Sequence, residues 1–253
     1  MPQVNNEYYH GLGERWYQAD NDPIAVLRAE QNIKNPWVLD TIQQHFATSN
    51  IQMEDVKIAD IGCGAGFLTN YLAKHFNHVT GIDASENSLE IAKQYDDSGK
   101  VIYTFGDAYH LPFEDQSLEV VCAMDFLEHV EDPKRVIAEC SRVLKPGGLF
   151  FYHTFNRNWL SYLIVIKFME WFVPNTPKNL HVLHLFIKPS ELKNWCREYH
   201  LTPHETIGLG PKFNKGFFKS LLKRRVTSDF QFELKDSLKL GYIGFATKED
   251  MSL

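Results

Sequence analysis

A glycine-rich turn between a predicted strand and a predicted helix constrains this chain most. Residues 58–66 read IADIGCGAG and place Gly62, Gly64 and Gly66 where the strand ends. Glycine permits a sharp turn and lets a ligand approach the backbone closely, and the start of the next helix offers unpaired N–H groups. The segment therefore predicts a ligand-binding turn, although a tight turn without a ligand would use the same glycines.

The glycine turn opens an alternation of strand and helix patterns in the middle of the chain. Strands are predicted at 56–61, 79–82, 101–105, 118–124 and 148–155, and helices at 67–76, 88–94 and 134–144. Ser85 is the predicted cap of the second of these helices. Strands that alternate with helices indicate βαβ units and a buried parallel sheet.

Further patterns flank this alternation. Residues 23–46 predict a helix that breaks in two at Asn35-Pro36, because a residue that precedes proline disfavours helical backbone. Beyond residue 155 the sequence predicts a dense apolar helix at 159–173, a helix at 189–199, and closing strands at 202–209 and 241–247.

The length of 253 residues suits one core with additions. We predict an N-terminal helical cover at 1–50, a ligand-binding core at 51–155, and a lid insert with closing strands at 156–253. Aromatic residues make up 13% of the chain, and much of the Trp and Phe content falls in the added segments. The additions are therefore expected to determine the choice of substrate.

Acidic residues follow the first two predicted strands after the glycine turn. Asp83 comes about 20 residues after the glycine turn, where a carboxylate can accept from both hydroxyls of a ribose. Asp107 is placed to accept from an adenine amino group, and the Ala108 N–H to donate to a ring nitrogen, although an Asp here could simply form a turn. These residues predict a ligand that contains a nucleoside.

Asp60, two residues before Gly62, distinguishes between two such ligands. The pyrophosphate of a nicotinamide dinucleotide prefers a G-x-G-x-x-G turn and would be repelled by this acid. S-adenosylmethionine carries no phosphate and has a cationic amino group and sulfonium, so the acidic turn favours it. Asp60 would then lie near the amino-acid end of the cofactor, unless its role is to order the turn.

The chain resembles the class I S-adenosylmethionine-dependent methyltransferases through DIGCGAG, GIDAS, GDAYHLPF and KPGG, over about residues 56–155. It is most similar to the O-methyltransferases of ubiquinone biosynthesis, through AMDFLEHVEDP, HTFNRNW and HVLHLFIKPSEL. The resemblance implies a Rossmann-like α/β fold: a seven-stranded, mostly parallel sheet with helices on both faces, an N-terminal helical cover and an inserted apolar helix. It also implies methylation of a phenolic or catechol hydroxyl on a prenylated quinone precursor.

The resemblance carries specific roles onto this sequence. Family residues that contact the cofactor match Arg28, Gly62, Asp83 and Met124. A proposed family metal site, for Mg²⁺ or another divalent ion, matches Asp125, Glu128 and His129, and two carboxylates with an imidazole could hold such an ion against a catecholate. Asp125 departs from the family, which usually has Glu there. The acidic and basic residues that the family has after the position of His181 are replaced here by Val182, Leu183, His184 and Leu185.

Methyl transfer to a phenol also needs a group that removes the hydroxyl proton. His129 is one candidate for this base, since an imidazole has an unperturbed pKa of about 6.5. His153, at the end of a later strand, competes with it, and His181 is a weaker candidate. Each histidine could instead be a locally hydrogen-bonded residue with no role in proton transfer.

Charge and apolar patterns limit the partners and the compartment. The net charge of −6 disfavours broad, charge-driven binding of nucleic acid. Four cysteines without zinc-type spacing, and an N-terminus without a secretory pattern, predict a cytoplasmic protein. Peripheral contact with the inner membrane is predicted by the apolar helix at 159–173 and by an apolar and basic segment at 217–225. A lid packed over the site would explain the apolar helix equally well.

Two other functions remain open from the residues alone. The same cofactor domain could serve an O- or N-methyltransferase of another small metabolite. The chain could also be an accessory protein that binds the nucleoside cofactor without turnover.

Overall fold

The computed structural model describes residues 2–47 and 51–250, and these form one mixed sheet of eight strands covered by helices. The strands are β1 (Lys57–Ile61), β2 (His78–Asp83), β3 (Ile102–Phe105), β4 (Leu118–Met124), β5 (Leu144–Phe155), β6 (Leu201–Pro211), β7 (Phe232–Lys235) and β8 (Gly241–Lys248). Their order across the sheet is β3-β2-β1-β4-β5-β8-β6-β7. The predicted boundary at residue 50 lies outside the described residues.

The helices of the described residues cover both faces of this sheet. They are α1 (Glu7–His10), α2 (Arg15–Gln18), α3 (Pro23–Phe46), α4 (Phe67–Leu72), α5 (Glu86–Gln94), α6 (Pro133–Val143), α7 (Trp159–Ser161), α8 (Met169–Phe172), α9 (Pro189–Glu198) and α10 (Lys215–Lys223). Apolar residues of α3 and α4 pack on one face, and those of α6 and α9 pack on the other. The predicted Rossmann-like architecture is confirmed.

Five strands, β1 to β5, pair in parallel and form the half of the sheet that the alternation predicts. Every residue of β4 is buried, as expected for a strand covered on both faces. The helix predicted after β2 begins at Glu86, and the Ser85 hydroxyl caps it by accepting from the Ser88 N–H at 3.2 Å.

The whole sheet has one strand more than the seven that were predicted, and the additional strand lies in the antiparallel half. Strand β8 lies antiparallel between β5 and β6, and the short strand β7 adds to the far edge of β6. Strand β7 was not predicted, because its four residues, FELK, show no clear alternation of apolar and polar side chains. Only one of these side chains is buried in the structure. This edge is close to α10, which the sequence marked only as apolar and basic.

The predicted break at Asn35-Pro36 is wrong, because α3 runs without interruption from Pro23 to Phe46. A proline inside a helix removes one backbone hydrogen bond. Here the two halves are held separately by burial: Ile24 lies in the first half and Ile42 in the second, and both are fully enclosed. The Asn35 side chain also donates to the Phe67 carbonyl at 3.1 Å. Tertiary packing thus outweighs the local preference.

The inserted apolar helix forms as predicted, and its central turns are of the wider π type. Residues Tyr162–Phe168 link α7 to α8 in one continuous helical segment, which we call the lid helix (159–172). Asn158 begins it, since the Asn158 Oδ1 accepts from the Leu160 and Ser161 N–H groups at 2.9 and 3.0 Å. Within the described residues, no helix has the length and apolar character needed to cross a bilayer.

Stability is expected to depend on the centre of the sheet and not on its β3 edge. Phe151 is fully buried in β5, whereas Ile102 in β3 is 63% exposed. We predict that Phe151→Ala lowers the free energy of unfolding by about 3–5 kcal/mol through lost burial and a residual cavity. The matched change Ile102→Ala should cost within about 0.5 kcal/mol. Urea unfolding of both variants measures the difference, and equal losses would contradict this view of the core.

Candidate functional site

A cavity of about 800 Å³ lies at the carboxyl ends of β1, β2 and β4, where open α/β sheets bind their ligands. The N-terminal helices cover one side of it, and the lid helix and α10 cover the other. The predicted site residues that line the cavity are Asp60, Gly62, Gly64, Asp83, Asp107, Ala108, Met124, Asp125, Glu128, His129 and His153. The sheet therefore gathers most of the predicted site.

The glycine turn lies tightly under two aromatic rings. Gly62 and Gly64 both have positive φ, at 69° and 52°. A Cβ atom at Gly62 would lie 2.1 Å from the Phe126 ring, and one at Gly64 would lie 3.1 Å from the Trp16 ring. Backbone conformation and close approach both require glycine at these two positions.

Gly66, the third glycine of the turn, packs against β3. It precedes α4 with a φ of 78°, and a Cβ atom there would lie 2.3 Å from the Tyr103 hydroxyl. Gly66 is not among the residues that line the cavity. Glycine at this position allows the turn to close against β3.

Asp83 joins the end of β2 to the glycine turn. Its two carboxylate oxygens accept from the Gly64 and Ser85 N–H groups, each at 2.8 Å. Burial raises the pKa of Asp83, and these bonds oppose that rise. Because each carboxylate oxygen has two lone pairs, both can still accept a hydrogen bond from a ligand. The residue is thus held in place with binding capacity to spare.

Asp60 and Asp107 both make the local contacts that were the alternative to ligand binding. The buried Asp60 accepts from the Thr69 hydroxyl at 2.6 Å, and burial raises the pKa of Asp60 to about 7. Asp107 accepts from the Tyr109 N–H at 2.9 Å, which lowers the pKa of Asp107. Both acids order turns, and both still border the cavity.

Arg28, which the resemblance matches to a cofactor contact, bonds within the N-terminal cover in this structure. Its guanidinium donates to the backbone carbonyls of Trp16, at 2.9 Å, and Ala19. Arg28 is absent from the residues that line the cavity. The side chain instead fixes the N-terminal cover, whose Trp16 ring packs on Gly64.

A buried ion network lies at the ends of β4 and β5. The Lys34 ammonium, fully buried in α3, donates to Glu30 at 2.9 Å and to Asp125. The second oxygen of Asp125 bonds to Nδ1 of His153, while Nε2 of His153 is buried without a partner. Asp125 has a positive φ of 55°, and its N–H donates to the His153 carbonyl at 3.2 Å. This turn brings the carboxylate between Lys34 and His153.

Opposite charges keep this network ionised. Burial alone would raise the pKa of Asp125, but the Lys34 charge and the hydrogen bonds from His153 and Lys34 outweigh burial and hold that pKa well below its usual range. Burial alone would lower the pKa of Lys34, and Asp125 and Glu30 reverse that effect and raise it. The ammonium and the Asp125 carboxylate therefore both stay charged at neutral pH.

A second cluster, formed by Glu128, His129 and His181, is neutral at neutral pH. Burial raises the pKa of Glu128 to about 8 and lowers those of His129 and His181 to about 4 and 3. Both carboxyl oxygens of Glu128 are buried without a partner. The His129 ring is held by the N-terminal cover, with Nδ1 at 3.1 Å from Asn6 Oδ1 and Nε2 at 3.4 Å from the Tyr9 hydroxyl.

The predicted metal site is divided between these two clusters. Asp125 is bound to the Lys34 cation and to His153, so it does not join Glu128 and His129. The ligand atoms of Glu128 and His129 instead lie within 4.8 Å of one another and of His181. A second group of neighbouring ligand atoms, from Glu30, Asp125 and His153, already holds the Lys34 ammonium through its two carboxylates. Mg²⁺ prefers oxygen ligands, whereas the group of Glu128, His129 and His181 offers two imidazoles and one carboxyl. The residues present do not fit Mg²⁺.

Sequence reasoning missed Lys34 and Glu30, which contact the predicted Asp125. Their i, i+4 spacing in a helix was the available signal, because such a pair lies on one helical face. That spacing usually marks a solvated pair. Only the tertiary structure shows that this pair faces inward.

Comparison with known proteins agrees with the fold and with a methyltransferase. A family model described as a methyltransferase domain matches residues 59–152. The ubiquinone biosynthesis O-methyltransferase of Hahella chejuensis is 34% identical over 245 residues, which cover 95% of this chain and 92% of the relative. The protein of the same name from Coxiella burnetii is 35% identical over 174 residues, which cover 68% and 74% of the two chains.

Solved structures support the fold alone. The magnesium protoporphyrin IX methyltransferase of Synechocystis, solved with bound SAH, superimposes with a TM-score of 0.62 at 16% identity and covers 96% of this chain and 97% of its own. Together with the glycine turn, Asp83 and the cavity, the sequence relatives establish that this chain belongs to the ubiquinone biosynthesis O-methyltransferase family and is an S-adenosylmethionine-dependent methyltransferase.

Proposed function

We propose that this enzyme methylates a phenolic hydroxyl on a prenylated quinone precursor. The observation that carries the proposal is the continuity of the cavity, which extends from the glycine turn to an apolar space between the lid helix and α10. The relatives are named for ubiquinone biosynthesis, which agrees with such a substrate.

The polar end of the cavity suits the cofactor. Asp83 would bind the ribose, Asp107 and the Ala108 N–H would bind the adenine, and Gly62 and Gly64 would border the amino-acid part. When bound, S-adenosylmethionine supplies a methyl group on a sulfonium. Acidic residues such as Asp60 favour that cation.

The apolar end of the cavity suits a hydrocarbon tail. Its walls come from the inner face of the lid helix, through Ile164, Val165 and Phe168, and from α10, through Phe217 and Leu221. Burying hydrocarbon against such walls contributes about 0.8 kcal/mol per CH₂ group. An isoprenoid chain would therefore add substantially to the affinity of a phenol.

His153 is the base that we propose for the hydroxyl proton. With Nδ1–H donated to the Asp125 carboxylate, the unpartnered Nε2 carries a lone pair at the cavity wall, beside Gly241. His129 is a weaker candidate, because Asn6 and Tyr9 lie against both of its ring nitrogens. The protonated Glu128 would donate a hydrogen bond to a neighbouring oxygen of the substrate.

The outer surface of the lid helix and α10 supports peripheral contact with the inner membrane. Exposed apolar side chains there include Trp159 at 74%, Trp171 at 59% and Leu222 at 86%. Exposed Lys223 and Arg224 lie beside Leu222 and could meet anionic headgroups. The same two helices line the cavity, so a substrate tail could pass from lipid to the active site. The lid and membrane interpretations of the insert are thus compatible.

The substrate proposal is tested by removing the tail. We expect a catechol that carries a short prenyl chain, presented in detergent micelles, to be methylated with kcat/KM at least tenfold above that of unsubstituted catechol, because the chain fills the apolar space. Phe168→Ala should lower kcat/KM for the prenylated catechol and leave that for catechol unchanged. Equal turnover of both compounds by the natural protein would favour a water-soluble metabolite as substrate.

The cofactor site is tested at Asp83. Asp83→Asn keeps the shape of the side chain but removes its charge and its full capacity to accept hydrogen bonds. We predict that S-adenosylhomocysteine binds roughly 10 to 100 times more weakly, corresponding to one lost charge-assisted bond of about 1.5–3 kcal/mol. Isothermal titration calorimetry measures the affinity. The exposed Asp97→Asn is the matched control, and a similar loss in both variants would contradict the assignment.

Membrane contact is tested by flotation with vesicles of phosphatidylcholine and phosphatidylglycerol. We expect the protein to float, and the triple variant Trp159→Asn, Trp171→Asn, Leu222→Asn to stay at the bottom of the gradient, since its apolar contact surface is lost. Ile102→Asn, at the opposite edge of the sheet, should float normally. Absence of flotation of the natural protein would refute the proposal.

A further inference from the structure

We propose that the indole N–H of Trp16 donates a hydrogen bond to the carboxylate at the amino-acid end of the cofactor. The inference rests on the proposed cofactor site at the glycine turn and adds to that site a donor from the N-terminal cover. Trp16 then becomes a binding residue that the sequence did not indicate.

Trp16 lies in the cavity wall against the glycine turn. Its side chain is only 4% exposed, yet it is among the residues that line the cavity. The ring packs on Gly64, stacks on Tyr9 with the ring centroids 5.7 Å apart, and meets the Phe67 ring edge-on at 5.8 Å. These three neighbours fix the plane of the indole and, with it, the direction of its N–H bond.

The indole nitrogen of Trp16, Nε1, is buried and has no hydrogen-bond partner among the described residues. The N–H group of a tryptophan can only donate, and a buried donor without an acceptor is costly. For this reason the N–H group of a buried tryptophan usually has a partner. Because the ring borders the cavity, the missing acceptor is a group of the bound ligand.

The first three N–H groups of the glycine turn are already in use. Those of Gly62 and Cys63 both donate to the Ile82 carbonyl, at 2.8 and 3.0 Å. The Gly64 N–H donates to Asp83 at 2.8 Å. These groups border the space proposed for the amino-acid part of the cofactor, so a carboxylate there needs a donor from a side chain.

Cationic side chains are scarce at this end of the cavity. Among the described residues no lysine lines the cavity, and the arginines that do, Arg224 and Arg225, lie at its other end beside α10. The amino-acid part of the cofactor offers an ammonium, which only donates, and a carboxylate, which only accepts. The acceptor for Trp16 is therefore the carboxylate, whose charge strengthens the hydrogen bond.

Arg28 holds this donor in place. Its guanidinium donates to the Trp16 carbonyl at 2.9 Å and to the Ala19 carbonyl, and the side chain does not line the cavity. The arginine that the resemblance matches to a cofactor contact thus acts through Trp16, as a positioning residue.

Binding of two ligands to Trp16→Phe provides the main test. S-adenosylhomocysteine carries the carboxylate, whereas its decarboxylated analogue, S-adenosyl-3-thiopropylamine, keeps only the amino group. We expect the variant to bind S-adenosylhomocysteine about 10 to 100 times more weakly than the natural protein does, because a charge-assisted bond is lost. Its affinity for the analogue should stay within about threefold. Isothermal titration calorimetry measures both affinities, and an equal loss for the two ligands, or no loss, overturns the inference.

Two further variants isolate the contact. Trp37→Phe removes an indole N–H from a ring that packs on Phe151 and Phe245, outside the cavity, and should bind both ligands normally. Asp83→Asn should weaken both ligands alike, since both contain the ribose. Unchanged binding in Asp83→Asn would refute the proposed cofactor site itself. Weaker binding there, without a selective effect of Trp16→Phe, would refute the role of Trp16 alone.

The positioning role is tested by Arg28→Met. We expect this variant to lose most of the preference for S-adenosylhomocysteine over the analogue, and to cause no further loss in the Trp16→Phe background. A further loss of about tenfold in the double variant would show that Arg28 reaches the carboxylate directly, which overturns the inference.

Nitrogen-15 NMR of the tryptophans covers the case in which Trp16→Phe does not fold. The natural protein contains five tryptophans, and single changes to phenylalanine at the other four assign the Trp16 signal. We expect the Trp16 indole proton to move downfield when S-adenosylhomocysteine is added and to move much less with the analogue. The same position of this signal with both ligands overturns the inference.

Discussion

The ammonium of Lys34, enclosed between Glu30 and Asp125, connects the N-terminal helix α3 to the ends of the central strands. Removing the cation would leave Glu30 and Asp125 buried without the positive charge that pairs them. The N-terminal cover also lines the cavity, and it places Trp16 against the glycine turn and Tyr9 against His129.

The lid helix shows how one segment can meet two requirements. Its inner face lines the cavity, while Trp159 and Trp171 point outward into solvent. A helix that is apolar nearly all round is unfavourable in water unless both faces find apolar surroundings. A substrate tail on one side and a lipid surface on the other would supply them. This arrangement accounts for the aromatic residues concentrated in the additions to the core.

The parts of the fold that could be predicted from the sequence are those with strong local signals. The parallel strands, the Ser85 cap and the glycine turn each follow from a short pattern with one physical explanation. The continuity of α3 through Pro36 and the inward orientation of Lys34 depend on contacts with distant segments, which no local pattern contains. Strand β7 forms by pairing with the open edge of β6, and the four residues of β7 carry no strong strand pattern of their own. The contacts of Arg28 could not be predicted for a similar reason, since its partners are backbone carbonyls of the cover.

The division of the predicted metal site has a consequence for the chemistry. Asp125 stands where the family usually has Glu, and its shorter side chain, on a turn with positive φ, lies between Lys34 and His153. A carboxylate that neutralises a lysine and orients a histidine has little charge left for a dication. Under the proposed function, the phenol would lose its proton to the His153 imidazole, which Asp125 orients through its bond to Nδ1.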